Sequence, residues 1–230
     1  MADMAEGTRK VNWFAIWVSA AVVVALVLVT VLVVSLNNAG TDPGDPPQSA
    51  VIEEDTGAIL VGEGPDRLDT YIDFMCPICN QFEQVYGESI QGLADDGTIT
   101  LGIHPISILD RYSQGTEYST RAANAMYCVA VADADAAVPF MQAMFANQPE
   151  EQSEGLTDDQ ILQVAASVDV TGIDACVTGQ EYAGFVTAMT AETPLQPGAS
   201  GIGTPTIAVN GEAIANADLP QPDQLATLFD

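Results

Sequence analysis

Hydrophobic and polar positions divide the chain into two unlike parts. From Trp13 to Leu36 there are 24 residues without a charge, and only Ser19, Thr30 and Ser35 among them are polar. The run is apolar on every face, unlike a helix that packs one stripe against a core. As a helix rising ~1.5 Å per residue it measures about 36 Å, enough to cross a ~30 Å hydrocarbon layer with tilt. Arg9 and Lys10 precede it, and Trp13 and Trp17 stand at its start, a pattern that predicts residues 1–12 in the cytoplasm. A cleaved signal peptide has an apolar region of about 7–15 residues and a small-x-small cleavage site. Leu36-Asn37-Asn38-Ala39 is a poor site, and no Cys follows that could carry a lipoprotein anchor. Residues 13–36 are therefore expected to be an uncleaved, single-pass transmembrane anchor.

Past the run the pattern changes to short alternating and helical segments. Residues 37–50, NNAGTDPGDPPQSA, read as a flexible tether. Residues 51–230 have the size of one domain. Ala58–Val61 predicts a short strand. Leu68–Phe74 predicts a second, with Leu68, Ile72 and Phe74 apolar and Asp69 and Asp73 polar. Pro77 suits the first turn of a helix running to about Leu93. Asp95-Asp96-Gly97 is a turn, and Thr98–His104 alternates as a third strand. A mostly helical stretch follows from about Glu117 to Thr193, with a capping-box sequence at Thr157–Gln160. Thr206–Val209 and Glu212–Ile214, joined by Asn210-Gly211, form a hairpin pattern, and Leu219–Phe229 predicts a closing helix. The fold class expected is α/β, a small sheet with a helical insertion at about 113–196.

Charge sharpens this division. The formal net charge is −27, from 32 Asp plus Glu against 5 Lys plus Arg. Asp3, Glu6, Arg9 and Lys10 cancel, so the whole charge belongs to the outer part, where 30 acids face Arg67, Arg111 and Arg121. Such a surface repels phosphate backbones and excludes a nucleic-acid partner. A hydrophobic fraction of 48% excludes a disordered acidic chain.

The chemistry concentrates in Cys76-Pro77-Ile78-Cys79, at the predicted junction of strand and helix. A Cys there faces free N–H groups and the positive end of the helix dipole, which stabilise a thiolate. The second Cys lies one turn on and can close a short disulfide with the first. A zinc site would need two further ligands, and Cys128, Cys176 and His104 offer no second pair with ligand spacing. No metal or organic cofactor is expected. An inert structural disulfide is the bland alternative for the pair. The second signal is Gly203-Thr204-Pro205-Thr206, just before a predicted strand.

Together, Cys-Pro-x-Cys after an apolar strand, a helical insertion and Gly-Thr-Pro-Thr before a final hairpin resemble the thioredoxin superfamily. The DsbA-like branch fits best, and within it the membrane-anchored extracytoplasmic proteins of actinobacteria; Ile106–Ala123 adds to the similarity, which covers about residues 56–230. The resemblance implies a thioredoxin-like fold and thiol–disulfide exchange at Cys76 and Cys79, with Cys76 attacked by substrate. It implies a cis Thr204–Pro205 bond against the Cys pair. Pro77, Ile78 and Asp73 are the supporting residues, and Met75 and Ile202 join Thr204 and Pro205 in lining a substrate groove. The partners implied are exported proteins with free thiols and a membrane quinone-linked oxidase of the vitamin K epoxide reductase type that reoxidises the pair.

The chain departs from the family pattern in places. Ile78 stands where strongly oxidising relatives commonly carry a His that donates to the thiolate. With the acidic field, this leads to an expected Cys76 pKa that is depressed, but less than in the strongest oxidants. Thr70 stands where many relatives bury a relay acid. Asp73, three residues before Cys76, either assists proton transfer to Cys79 or caps the helix start. His104, the only His, is expected to be structural. Cys128 and Cys176 fall in the insertion, 48 residues apart. They are most simply a structural disulfide outside the membrane, as such relatives often have, and free thiols acting as a resolving pair are the alternative. The function expected is a membrane-tethered oxidase of exported proteins. A reductase or isomerase, or a thioredoxin-like interaction module with a structural Cys pair, is the alternative.

Overall fold

The computed structural model describes residues 13, 16–18, 22–30 and 44–229. The chain divides into two compact units, Met1–Asp42 and Pro43–Asp230. In the first, residues 13, 16–18 and 22–30 are helical, and their apolar side chains, Trp13, Trp17, Leu26 and Leu28 among them, are exposed. Among the described residues no helix is long and apolar enough to cross a membrane. The rest of the expected anchor, the expected cytoplasmic residues 1–12 and residues 37–43 of the expected tether lie outside the described residues. The end of that tether belongs to the second unit: Pro47 is buried and the Ser49 hydroxyl donates to the Ala130 carbonyl at 3.3 Å.

The second unit is built on a five-stranded sheet. Its strands are β1 (Ile59–Val61), β2 (Asp66–Ile72), β3 (Ile99–Pro105), β4 (Thr206–Val209) and β5 (Glu212–Ile214), in the order β1-β3-β2-β4-β5. β2 and β3 are parallel, from Asp66 opposite Ile99 to Ile72 opposite Pro105. Parallel neighbours require a crossover, supplied by helix α1 (Pro77–Asp95). β4 runs antiparallel to β2, with Thr206 opposite Tyr71 and Val209 opposite Leu68. This register decides the site, because the beginning of β4 lies beside the end of β2, where the Cys pair follows. The β4–β5 hairpin closes through Asn210 and Gly211, both at positive φ (49° and 84°), as the Asn-Gly pair demands. Gly102 in β3 has its own reason: a Cβ there would collide with the Arg67 and Asp69 side chains, which pair at 2.8 Å across it.

Between β3 and β4 the chain forms α2 (Tyr118–Ala132), α3 (Ala137–Ala146), α4 (Asp158–Ser167), α5 (Asp174–Thr178) and α6 (Ala183–Ala191). Twelve of the fifteen α2 residues are buried, so α2 is the centre of this block, and the other helices pack around it. α4 starts with the capping box read from the sequence: Thr157 accepts from Gln160 N, and the Gln160 side chain accepts from Thr157 N. One hydrophobic cluster runs from Leu68, Ile103 and Ile207 in the sheet to Met126, Phe140 and Val186 in the helices.

The C-terminus corrects one expectation. In place of a closing α-helix over Leu219–Phe229, the chain makes two 3-10 segments, Asn216–Asp218 and Pro222–Leu228. Pro220 and Pro222 bring no N–H to a helix starting at Leu219, and the stretch beyond them has little packing to support α geometry. Leu225 alone of the second segment is buried.

Candidate active site

β2 delivers the chain to the site, and α1 begins there. Cys76 is the N-cap of α1, with extended backbone (φ −79°, ψ 114°), and Pro77 takes the first helical position. Pro is suited to that position because its missing N–H would have no helical partner anyway. Cys76 makes no side-chain cap hydrogen bond, so the N–H groups at the start of α1 stay open toward a thiolate, and those of Ile78 and Cys79 lower its pKa.

Cys76 and Cys79 are both free and both buried, Cys76 retaining 5% of its surface and Cys79 none. Their environments push them apart. A hydrogen bond from the Cys79 thiol is the largest influence lowering the Cys76 pKa; burial and the nearby Asp73 carboxylate oppose it. Burial pushes Cys79 well up, and the adjacent Cys76 sulfur reinforces this. The result is a nucleophilic sulfur at Cys76, which keeps slight access to solvent, and a protonated one at the fully buried Cys79.

Thr204 meets both sulfurs from the opposite side. The Cys76 thiol donates to the Thr204 carbonyl at 3.5 Å, and the Thr204 hydroxyl lies 2.9 Å from Cys79 Sγ. That hydroxyl also donates to the Tyr71 carbonyl at 3.3 Å, at the end of β2. The Thr204–Pro205 bond is cis. The Pro205 carbonyl is held by Gln196 at 3.0 Å and Asn216 at 2.9 Å. Ile202, expected in the groove, is half-buried in the same loop, and Ile78 is 53% exposed beside Cys76.

Two expectations are corrected here. Met75 has no accessible surface, so it packs in the core behind the Cys pair and cannot line a surface groove. Asp73 does not cap α1, whose N-cap is Cys76. Its carboxylate is buried and accepts from Met75 N and Leu109 N, both at 2.9 Å, joining the redox turn to the loop after β3. Burial, partly offset by these N–H groups, raises its pKa to about 6.

His104 lies elsewhere. It stacks on Tyr71 at 4.0 Å, its Nε2 is 2.8 Å from Asp69 Oδ1, and its Nδ1 is 3.2 Å from the Thr56 carbonyl. It shares no contact with either thiol. Thr70 is buried in β2 and places no acid beneath the site. Cys128 on α2 and Cys176 on α5 are joined in a disulfide across 48 residues of sequence. Among the described residues no group of three or more His, Cys, Asp and Glu could hold a metal ion.

Gln148 was not legible in the sequence. It lies just after α3, and its amide donates to the carbonyls of Phe74 (3.0 Å) and Cys76 (2.9 Å). A Gln in a loop belongs to no periodic pattern and no motif, so no local signal could have found it.

A thioredoxin family model matches residues 57–230. Among solved structures, DsbA of Mycobacterium tuberculosis is 27% identical, with a TM-score of 0.62 over 75% of this chain and 99% of that one. The disulfide bond oxidoreductase DsbG of the same organism is 27% identical with a TM-score of 0.62, over 83% and 89%. MdbA of Actinomyces oris, a thiol-disulfide oxidoreductase, is 27% identical with a TM-score of 0.63, over 80% and 89%. Among curated proteins, the serine/threonine-protein kinase PknE of Mycobacterium tuberculosis is 28% identical over 179 residues, which are 74% of this chain. The match spans 31% of the kinase's own length.

Proposed function

The chain belongs to the thioredoxin family, and on that premise we propose that it is a membrane-tethered, extracytoplasmic thiol–disulfide oxidoreductase that introduces disulfides into exported proteins. Its solved relatives of the DsbA and DsbG type are thiol-disulfide oxidoreductases. The observation that carries the reading is the division of labour between Cys76, lowered and slightly accessible, and Cys79, raised and fully buried, both against Thr204. The tether rests on the uncharged run Trp13–Leu36 behind Arg9 and Lys10.

In the forward direction a substrate thiolate attacks Cys76 Sγ of the oxidised pair. The Cys76–Cys79 bond breaks, and Cys79 leaves as a thiolate that takes a proton, as its raised pKa favours. A second substrate thiolate attacks the substrate sulfur of the mixed disulfide and expels Cys76 as a thiolate, which its lowered pKa makes the better leaving group. The substrate loses two electrons and the pair gains them. A quinone-linked membrane oxidase of the vitamin K epoxide reductase type would then take them away.

Ile78 favours a second reading. Its side chain has nothing to donate to the Cys76 thiolate, which leaves the reduced form less stabilised and the couple less oxidising, toward a reductase or isomerase. Equilibration of the full chain with glutathione separates the two. A potential above about −200 mV supports the oxidase, whereas one near the thioredoxin value of about −270 mV supports the reductase. In either case Cys79→Ser should accumulate a mixed disulfide through Cys76 with a reducible substrate. If no such adduct forms, exchange at this pair is excluded.

A further inference from the structure

The Cys76–Pro77 peptide is weakly anchored by its own helix. Pro77 has no N–H to give, and the Cys76 carbonyl receives the Asn80 N–H at a long 3.3 Å. The shorter bond to that carbonyl comes from outside α1, from the Gln148 amide at 2.9 Å. The same Nε2 donates to the Phe74 carbonyl at 3.0 Å, two residues earlier. One amide group thus holds the peptides on both sides of the Met75–Cys76 step.

Gln148 is itself held. Its Oε1 accepts from Asn80 Nδ2 at 3.0 Å, and Asn80 Nδ2 also donates to the Phe145 carbonyl at 2.9 Å, at the end of α3. Gln84, one turn further along α1, donates to Asn80 Oδ1 at 2.8 Å. The Phe145 ring lies 5.2 Å from that of Phe74. The Gln148 oxygen and both its amide hydrogens are therefore used, and its orientation is set, since a flipped amide would oppose oxygen to two carbonyls.

We propose that Gln148 is a positioning residue for the redox turn: by bridging the Phe74 and Cys76 carbonyls it fixes Cys76 at the N-cap of α1, where a thiolate meets the open N–H groups of the first turn. The helical insertion supplies this brace, so its relation to the site includes the setting of Cys76's reactivity. The proposal rests on the thiol–disulfide reading, because positioning matters only if Cys76 reacts. Without the brace the Cys76 peptide is free to turn, the sulfur loses alignment with its donors, and the thiolate becomes harder to form.

The test is the pH dependence of Cys76 alkylation by iodoacetamide, followed by mass spectrometry on the full chain in detergent. Gln148→Met keeps the volume and removes both donors. The expected result is a higher Cys76 pKa and an approximately fivefold smaller thiolate fraction at neutral pH, on the scale of one lost hydrogen bond. Asn80→Ala leaves Gln148 in place but unoriented; it should move the profile the same way by less. The double variant should equal Gln148→Met alone, because both act through one amide. A merely structural Gln148 would lower the unfolding midpoint and leave the Cys76 profile of the folded protein unmoved, and that result overturns the proposal. Should Gln148→Met fail to fold, Asn80→Ala decides by the same profile. Turnover of a reduced peptide by the unmodified chain is measured separately. A chain without turnover whose Cys76 profile still responds to Gln148→Met would sink the functional reading and leave the brace standing.

Discussion

Asp73 shows how much one buried group can impose on its surroundings. Its carboxyl is raised from 3.8 to about 6 because burial strips its water, and two backbone N–H groups only partly replace it. A raised acid binds its proton more tightly in the folded than in the unfolded chain. Its favourable contribution is thus complete below about pH 4 and is lost as pH rises through about 6. The shift corresponds to about 3 kcal/mol. Denaturant unfolding of wild type and Asp73→Asn at pH 4 and pH 7 should therefore show the variant gaining about that much relative to wild type at the higher pH. A difference that is flat with pH would mean that Asp73 does not titrate in this range. The same substitution removes a carboxylate that opposes the Cys76 thiolate, so Cys76 should titrate lower. The residue's identity and spacing were legible in the sequence. Its partner Leu109, 36 positions on, was not, and without that contact the sequence leaves a capping role open.

At the scale of elements, the chain's local signals were reliable where both partners lie within a few residues. Pro77 at the first turn of α1, the Thr157–Gln160 box and the Asn210-Gly211 turn all depend on neighbours in sequence. The closing segment failed the same kind of reading. Apolar periodicity over Leu219–Phe229 favoured α-helix, and the proline-interrupted, sparsely packed stretch takes 3-10 geometry instead. The insertion is steadied by the bond from Cys128 on α2 to Cys176 on α5, reinforced by Asn124, whose side chain donates to the Cys176 carbonyl at 3.3 Å and accepts from Tyr182 N at 2.7 Å. Removing a cross-link that closes 48 residues should lower stability by about 4 kcal/mol on the chain-entropy account. Calorimetry or denaturant unfolding of Cys128→Ser/Cys176→Ser checks the size. The Cys76 alkylation profile should stay at its wild-type position, since neither residue meets the redox turn. A displaced profile would reveal coupling between the staple and the site.

For the whole molecule, the governing quantity is the charge. Of the three Arg residues beyond the apolar run, Arg67 pairs with Asp69 and Glu53, Arg121 pairs with Asp158, and Arg111 lies over the Tyr112 ring. Little basic charge is left to offset 30 acids, and compaction brings them together. Raising NaCl from about 0.05 to 1 M shortens the screening length several-fold and should raise the unfolding temperature by roughly 5 °C, about 1–2 kcal/mol for a domain of this size. An unchanged or falling temperature would show that the acids do not strain the fold. By itself the sequence determined the apolar run, the location of the charge, the Cys pair at a strand-to-helix junction and the order of most elements, because each is written in residues a few positions apart. Only the tertiary structure decided what surrounds the sulfurs. It set the Thr204 hydroxyl on Cys79 across 125 residues, Gln148 on the Cys76 carbonyl across 72, and Met75 inside the core. These depend on strand register and on where the insertion folds back, and contacts between distant segments leave no periodic trace in the chain.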